Sequence, residues 1–270
     1  MNFFMSKQSN LVWIFFVYAL FLQQLGGRTL KSLILIPSSE SELVYKVHRK
    51  SWRRYMHRFQ DNFDAFFIQA DPQLDQDYLM KGDVLYVRGE ESICPGVMDK
   101  TIQAMEYFLP ILDRYDYIIR PNLSSFLVLP RLQNFLKDKP LKKFYAGHTY
   151  ERGHDRITPL YWVGGACYIL SKDLVKLVVE NKSFLMHRPK LELNWDDLLL
   201  ASFLQQQNIS PYHHPCYKFE QFHYPHKVFC NIPKDTYHFR IRILERDSKR
   251  YKFEKIIHEE LYELFYTDVF

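Results

Sequence analysis

The chain of 270 residues is 47% apolar and 17% aromatic with only 9 glycines, which excludes a long disordered polypeptide. A net charge of +5, from 36 Lys and Arg against 31 Asp and Glu, is mildly basic and weakly favours anionic ligands. No basic stripe interleaved with aromatics marks a nucleic-acid partner, and four cysteines without a CxxC pair form no zinc framework.

Residues 11–22 read LVWIFFVYALFL. That run is shorter than the ~20 residues of a full membrane span and matches the apolar centre of a signal sequence. Residues 1–27 are therefore expected to act as signal peptide or signal anchor. Residues 31–270 then form one domain, lumenal on a single-pass type II membrane protein or secreted. Lys31 to Pro37 (KSLILIP) reads as a buried parallel strand, since both faces are apolar. Residues 38–42 (SSESE) open a helix with capping chemistry, with Leu43, Val44, Val47 and Trp52 as its apolar set. The cluster Lys46, His48, Arg49, Lys50, Arg53, Arg54, Arg58 reads as that helix's solvated face. Strands follow at 63–69 and 82–87, a helix at 99–109, and a strand at 115–119. A helix is expected at 130–136, a strand at 144–146, and a helix capped by Ser171 through Val179. Asp196 and Asp197 precede a helix over 198–206. After about residue 210 the chain loosens into loops. There the alternation in Tyr237–Arg242 predicts a strand with His238, Arg240 and Arg242 on one face, and residues 250–266 form a last amphipathic helix. Cys216 and Cys230 are the sequence-nearest candidates for a disulfide. Alternating strands and helices predict an α/β, doubly wound, mostly parallel sheet with ligands at the carboxyl ends of its strands.

Two adjacent carboxylates at a helix N-terminus, Asp196 and Asp197, are stabilised as anions by the helix dipole. They suit a general base, and equally plain capping of the helix. Gly164 and Gly165 let a ligand approach the backbone closely, or form an ordinary tight turn. Ser124 is a candidate cap for a helix ahead of Leu127.

Five segments in one order resemble the β-1,3-galactosyltransferase and Fringe group of GT-A glycosyltransferases. They are LILIPSSESELVYKVHRKSWRRYM, GDVLYVRGEESICPGVMDKTIQAMEYF, YDYIIRPNLSSF, YWVGGACYILSKDLVKLV and NWDDLLLASFLQQQNI. The resemblance implies a GT-A (Rossmann-like) domain with a loop-rich C-terminal part. It implies inverting transfer of a hexose from a nucleotide sugar, a UDP-sugar by preference, to a glycan or glycoprotein. Asp197 would be the base and Asp196 its neighbour in orienting or acceptor binding. Lys100 falls among the donor-side residues, Trp162, Gly164, Gly165 and Trp195 on the acceptor side, and His238 near the diphosphate and metal. The group's Asp-x-Asp metal site is replaced by Arg120-Pro121-Asn122-Leu123-Ser124-Ser125. Without carboxylates there, a divalent Mn²⁺ or Mg²⁺ loses its usual ligands. Arg120, Asn122, Ser124, Ser125 and Arg240 are the remaining donor-binding candidates. The missing motif keeps a non-catalytic glycan-binding module of the same fold as the alternative.

Overall fold

The computed structural model describes residues 29–152, 159–186, 196–220, 232–244 and 247–267. In chain order these form β1 (Ser32–Pro37), α1 (Leu43–Tyr55), β2 (Phe63–Asp71), β3 (Tyr78–Lys81), β4 (Val84–Arg88) and α2 (Gly96–Phe108). A 3₁₀ turn (Leu109–Arg114) leads to β5 (Tyr117–Pro121), β6 (Ser125–Leu127), α3 (Leu129–Leu136), β7 (Tyr145–Arg152) and β8 (Leu160–Ser171). Then come α4 (Lys172–Glu180), α5 (Lys182–Met186), α6 (Asp196–Gln206), β9 (Tyr212–His213), β10 (Tyr217–Phe219), β11 (His238–Ile241) and α7 (Asp247–Tyr266).

The main sheet has the order β3-β4-β2-β1-β5-β8-β7-β9. Strands β4, β2, β1 and β5 are parallel, β8 runs against β5 and β7, and β3 runs against β4. The mixed α/β, mostly parallel architecture is the one the alternating elements predict. Successive residues of β1 serve opposite cores: Ile34 and Ile36 join one cluster, Leu33 and Leu35 the other. A small sheet, β10-β11-β6, lies beside the main one.

Several local expectations change. α1 begins at Leu43, after the Ser/Glu stretch, with Glu42 at the cap position and no side-chain cap bond. Leu43 is 62% exposed, so it is not part of the buried face. His48 and Arg49 are buried rather than solvated. The reason is α7: Glu254, itself buried, meets His48 Nε2 at 2.7 Å, while Arg49 donates to Ser38 Oγ and the Ser39 carbonyl. On α7 the buried side includes Glu254, Ile257, His258, Leu261 and Tyr266, and Leu264 is exposed. Residues 125–127 form β6 rather than the start of a helix, and α3 starts at Leu129. Ser171 does sit at the N-cap position of α4, but its hydroxyl accepts from the Phe144 N–H and donates to Asp173. Among the described residues no helix is long and apolar enough to cross a membrane. Residues 11–22, Cys230 and Trp195 lie outside the described residues.

Candidate functional site

The order of the sheet reverses between β1 and β5, and ligands of open α/β sheets gather beyond the strand carboxyl ends at such a switch. A cavity of about 330 Å³ opens there, at the small end of the ~300–1,000 Å³ usual for ligand pockets.

Its floor is built by β8. Pairing between β7 and β8 jumps from Gly147↔Tyr168 to Thr149↔Val163, so residues 164–167 bulge away from β7. Gly147 makes the jump possible. Its φ of +152 is a conformation side-chain-bearing residues rarely adopt, and a Cβ there would stand 2.4 Å from Val163. The pair Gly164-Gly165 therefore lies inside a strand, not in a tight turn, and both residues line the cavity.

α6 begins at Asp196, placing both carboxylates at the positive end of the helix and in the cavity wall. Asp197 Oδ2 accepts the Gly165 N–H at 2.8 Å and its Oδ1 accepts the Leu198 N–H at 2.9 Å. Burial, and then the charge of Asp196, push the Asp197 pKa up, against the opposing pull of these two bonds and Arg120. Each oxygen keeps a further lone pair for a substrate proton.

Arg120 is 1% exposed. Its Nη2 donates to Asp196 Oδ2 at 2.9 Å, and its Nη1 donates to Asn122 Oδ1 at 2.9 Å and to the Gly165 carbonyl. Arg120 and Asn122 thus face the cavity, but with most of their hydrogen bonds made to each other and to the floor. The unpaired cations are elsewhere. β11 pairs antiparallel with β6, turning Phe239 and Ile241 into the core and Arg240 and Arg242 to the cavity. No ion pair holds either arginine among the described residues.

Other sequence candidates stand apart from the cavity. Lys100 is buried, pairs with Glu91, and donates to the Ser38 carbonyl at 2.7 Å. Ser125 is buried, with its hydroxyl on the Ala166 carbonyl and 3.1 Å from His238 Nε2. Ser124 is half-buried and its carbonyl accepts the Ile241 N–H. His238 is buried, which drives its pKa down to about 3. As the alternation of β11 predicts, it lies on the face of Arg240, but buried against Ser125 and Cys216 and outside the cavity lining. Trp162 does line the cavity, beside Tyr150, Ile93 and Val97, which sequence reasoning passed over. Tyr150 falls past the residues where the sequence pattern ends β7, and the Gly147 irregularity hides its register.

These residues do not fit a divalent cation. Asn122 offers a neutral oxygen already bonded to Arg120, Asp196 is half taken by Arg120, and His238 is buried behind the floor with Nε2 against Ser125, outside the cavity lining. No cluster of three or more His, Cys, Asp or Glu able to hold a metal occurs among the described residues.

No protein-family model matches the chain, and no curated protein does. Its fold is similar to a solved structure described as a glycosyltransferase involved in the glycosylation of the major capsid of PBCV-1. The two are 10% identical, with 83% of this chain and 99% of that one covered at a TM-score of 0.51. A197 from STIV is 12% identical, with 68% and 82% covered, but its TM-score of 0.35 adds nothing to the first likeness. The comparisons thus show a glycosyltransferase-type α/β fold and do not reach the β-1,3-galactosyltransferase and Fringe group.

Proposed function

We propose that this chain transfers a hexose from a nucleotide sugar to a hydroxyl of a glycan or glycoprotein, with inversion. The observation that carries the reading is one cavity, at the switch of a glycosyltransferase-type sheet, that holds a carboxylate pair in the first turn of a helix and two arginines with no ion-pair partner among the described residues. Asp197 takes the acceptor hydroxyl proton as that oxygen bonds to the anomeric carbon. The bond from that carbon to the diphosphate breaks, and its electron pair leaves with the diphosphate. Arg240 and Arg242 hold the charge that develops there. Arg120 keeps Asp196 and the Gly165 carbonyl in place rather than meeting the diphosphate. The ordered resemblance of five segments supports a divergent relative of the β-1,3-galactosyltransferase and Fringe group. The apolar run at 11–22 supports delivery to or through a membrane.

A second reading is a glycan-binding module without catalysis. It is favoured by Asp197 having both oxygens already bonded to backbone N–H groups. The two are separated by incubating full-length protein with radiolabelled UDP-hexoses and a glycan library. Transfer that vanishes in Asp197→Asn supports the enzyme. Glycan capture with no transfer, and no shift in melting with any nucleotide sugar, supports the module.

A further inference from the structure

We propose that the Tyr150 hydroxyl, held by Lys218, donates a hydrogen bond to the departing diphosphate beside Arg240 and Arg242. This rests on the transferase reading above and adds to it a charge-stabilising group beyond the two arginines. Tyr150 is then a catalytic residue and Lys218 a positioning residue.

β10 and β11 pair in parallel with Lys218 opposite Arg240, so the two side chains rise from one face of the small sheet. Arg240 and Tyr150 line the cavity. Lys218, outside the lining, reaches Tyr150 from behind, with Nζ 2.7 Å from the hydroxyl oxygen. An ammonium has protons and no lone pair, so the hydroxyl is the acceptor in this bond. Its own proton has no acceptor among the described residues. The carboxylates of the cavity do not take it: both Asp197 oxygens accept backbone N–H groups, and Asp196 accepts Arg120. Arg240 Nε is likewise buried without a partner. One wall thus carries two donor groups, one of them cationic, for which the described residues supply no acceptor. Phosphate oxygens meet both needs, with charge for the arginine and lone pairs for the hydroxyl. A neutral sugar hydroxyl would satisfy only the tyrosine.

The tyrosine ring is fixed before a ligand arrives, which limits the entropy lost on binding. It lies against the bare backbone of Gly164, where a Cβ would stand 2.6 Å from Tyr150 Cε2. Trp162 stacks on it at 5.4 Å, and His148 meets it edge-on at 4.8 Å. As the bond from the anomeric carbon to the diphosphate oxygen breaks, the electron pair goes to that oxygen and its charge grows. The hydroxyl keeps its proton and shares it in a hydrogen bond that strengthens with that charge. The ammonium behind it polarises the O–H bond and makes it a better donor.

The test is calorimetry on full-length protein with UDP, GDP and ADP, each beside its monophosphate. The wild type should bind at least one diphosphate about 10-fold more tightly than its monophosphate. Tyr150→Phe keeps the ring and removes the hydroxyl. It should weaken that diphosphate about 10-fold and the monophosphate by less than about twofold. Lys218→Ala should do the same, and Lys218→Arg should restore affinity to within about threefold. If Lys218→Ala does not fold, Lys218→Met keeps the stem and should show the same loss. In transfer from the matching nucleotide sugar, Tyr150→Phe should lower kcat about 10²-fold and change KM by less than about threefold. Unchanged diphosphate affinity or unchanged kcat in folded Tyr150→Phe protein overturns the proposal. So does an equal loss for monophosphate and diphosphate, or a wild type that prefers no diphosphate. Lys218→Arg no better than Lys218→Ala removes Lys218 from its role. A preference for diphosphate that depends on Tyr150, in a protein that transfers no hexose, upholds the subsite and overturns the transferase reading alone.

Discussion

Arg120 Nη2 and Asp196 Oδ2 meet at 2.9 Å, with the arginine side chain 1% exposed and the aspartate 19%. This pair joins the end of β5 to the start of α6, and the same guanidinium holds the Gly165 carbonyl of β8. Removing it leaves a part-buried carboxylate and a carbonyl without their donor. Arg120→Ala should lower stability by about 3–5 kcal/mol, the usual result of breaking a buried pair from one side. Chemical denaturation measures it. A change below about 1 kcal/mol would show Arg120 to be a ligand-binding cation, not a structural tie.

Asp197→Asn should lower transfer by about 10²-fold or more. It should also destabilise the fold by about 1–3 kcal/mol, because an amide placed between two N–H donors can accept from only one. In the wild type, the raised pKa puts the acid limb of the rate profile above the ordinary carboxylate range, since the base must be ionised. Its effect on stability runs the other way: the contribution is present at low pH and is lost as pH rises through the folded-state value. A rate profile flat down to pH ~4 would remove Asp197 from the base role.

Donor binding should lean on arginine more than on metal. UDP affinity, measured by calorimetry, should fall about 10-fold in Arg240→Ala and change little between EDTA and Mn²⁺. A large loss in EDTA with Arg240→Ala unaffected would reverse this assignment.

Acid should unfold the protein through its buried histidines. Neither nitrogen of His258 has a hydrogen-bond partner among the described residues. Burial, and then neighbouring His48, depress its pKa well below the usual value. A depressed histidine contributes its stability above the ordinary value near ~6.5 and loses it as pH falls, by up to about 1.4 kcal/mol per pH unit. His238, pushed down to about 3, acts in the same direction. Melting temperature should therefore drop steadily below pH ~6.5. The drop should be shallower in His258→Leu. Equal slopes in the two proteins would clear His258 of the effect.

The central strands were legible because burial on both faces leaves an apolar run, as at residues 32–37, that needs no partner to be recognised. The Asp196-Asp197 pair was legible as a helix start, and the alternation around Arg240 as a strand. Less legible was anything set by a distant neighbour. His48 reads as solvated until Glu254, 206 residues later, is placed against it. Arg120 reads as an unattached cation until α6 brings Asp196 to it. Tyr150 was invisible because its orientation depends on a register jump that leaves no periodic signal.

The C-terminal helix ends on Tyr266, whose hydroxyl donates to the Leu127 carbonyl at 2.7 Å and accepts the Leu129 N–H at 2.9 Å. Its ring stacks on Tyr55 at 4.8 Å, and Arg58 donates to its carbonyl. β6, which Tyr266 thereby anchors, is the strand against which β11 sets Arg240. During synthesis the strands at 32–121 can pair early, but β6, which backs Arg240, gains the two Tyr266 bonds only once residue 266 has left the ribosome. A product cut short a few residues before 266 would retain most of its sheet, and Arg240 and Arg242 with it, but would lose the two Tyr266 bonds that hold β6 behind them.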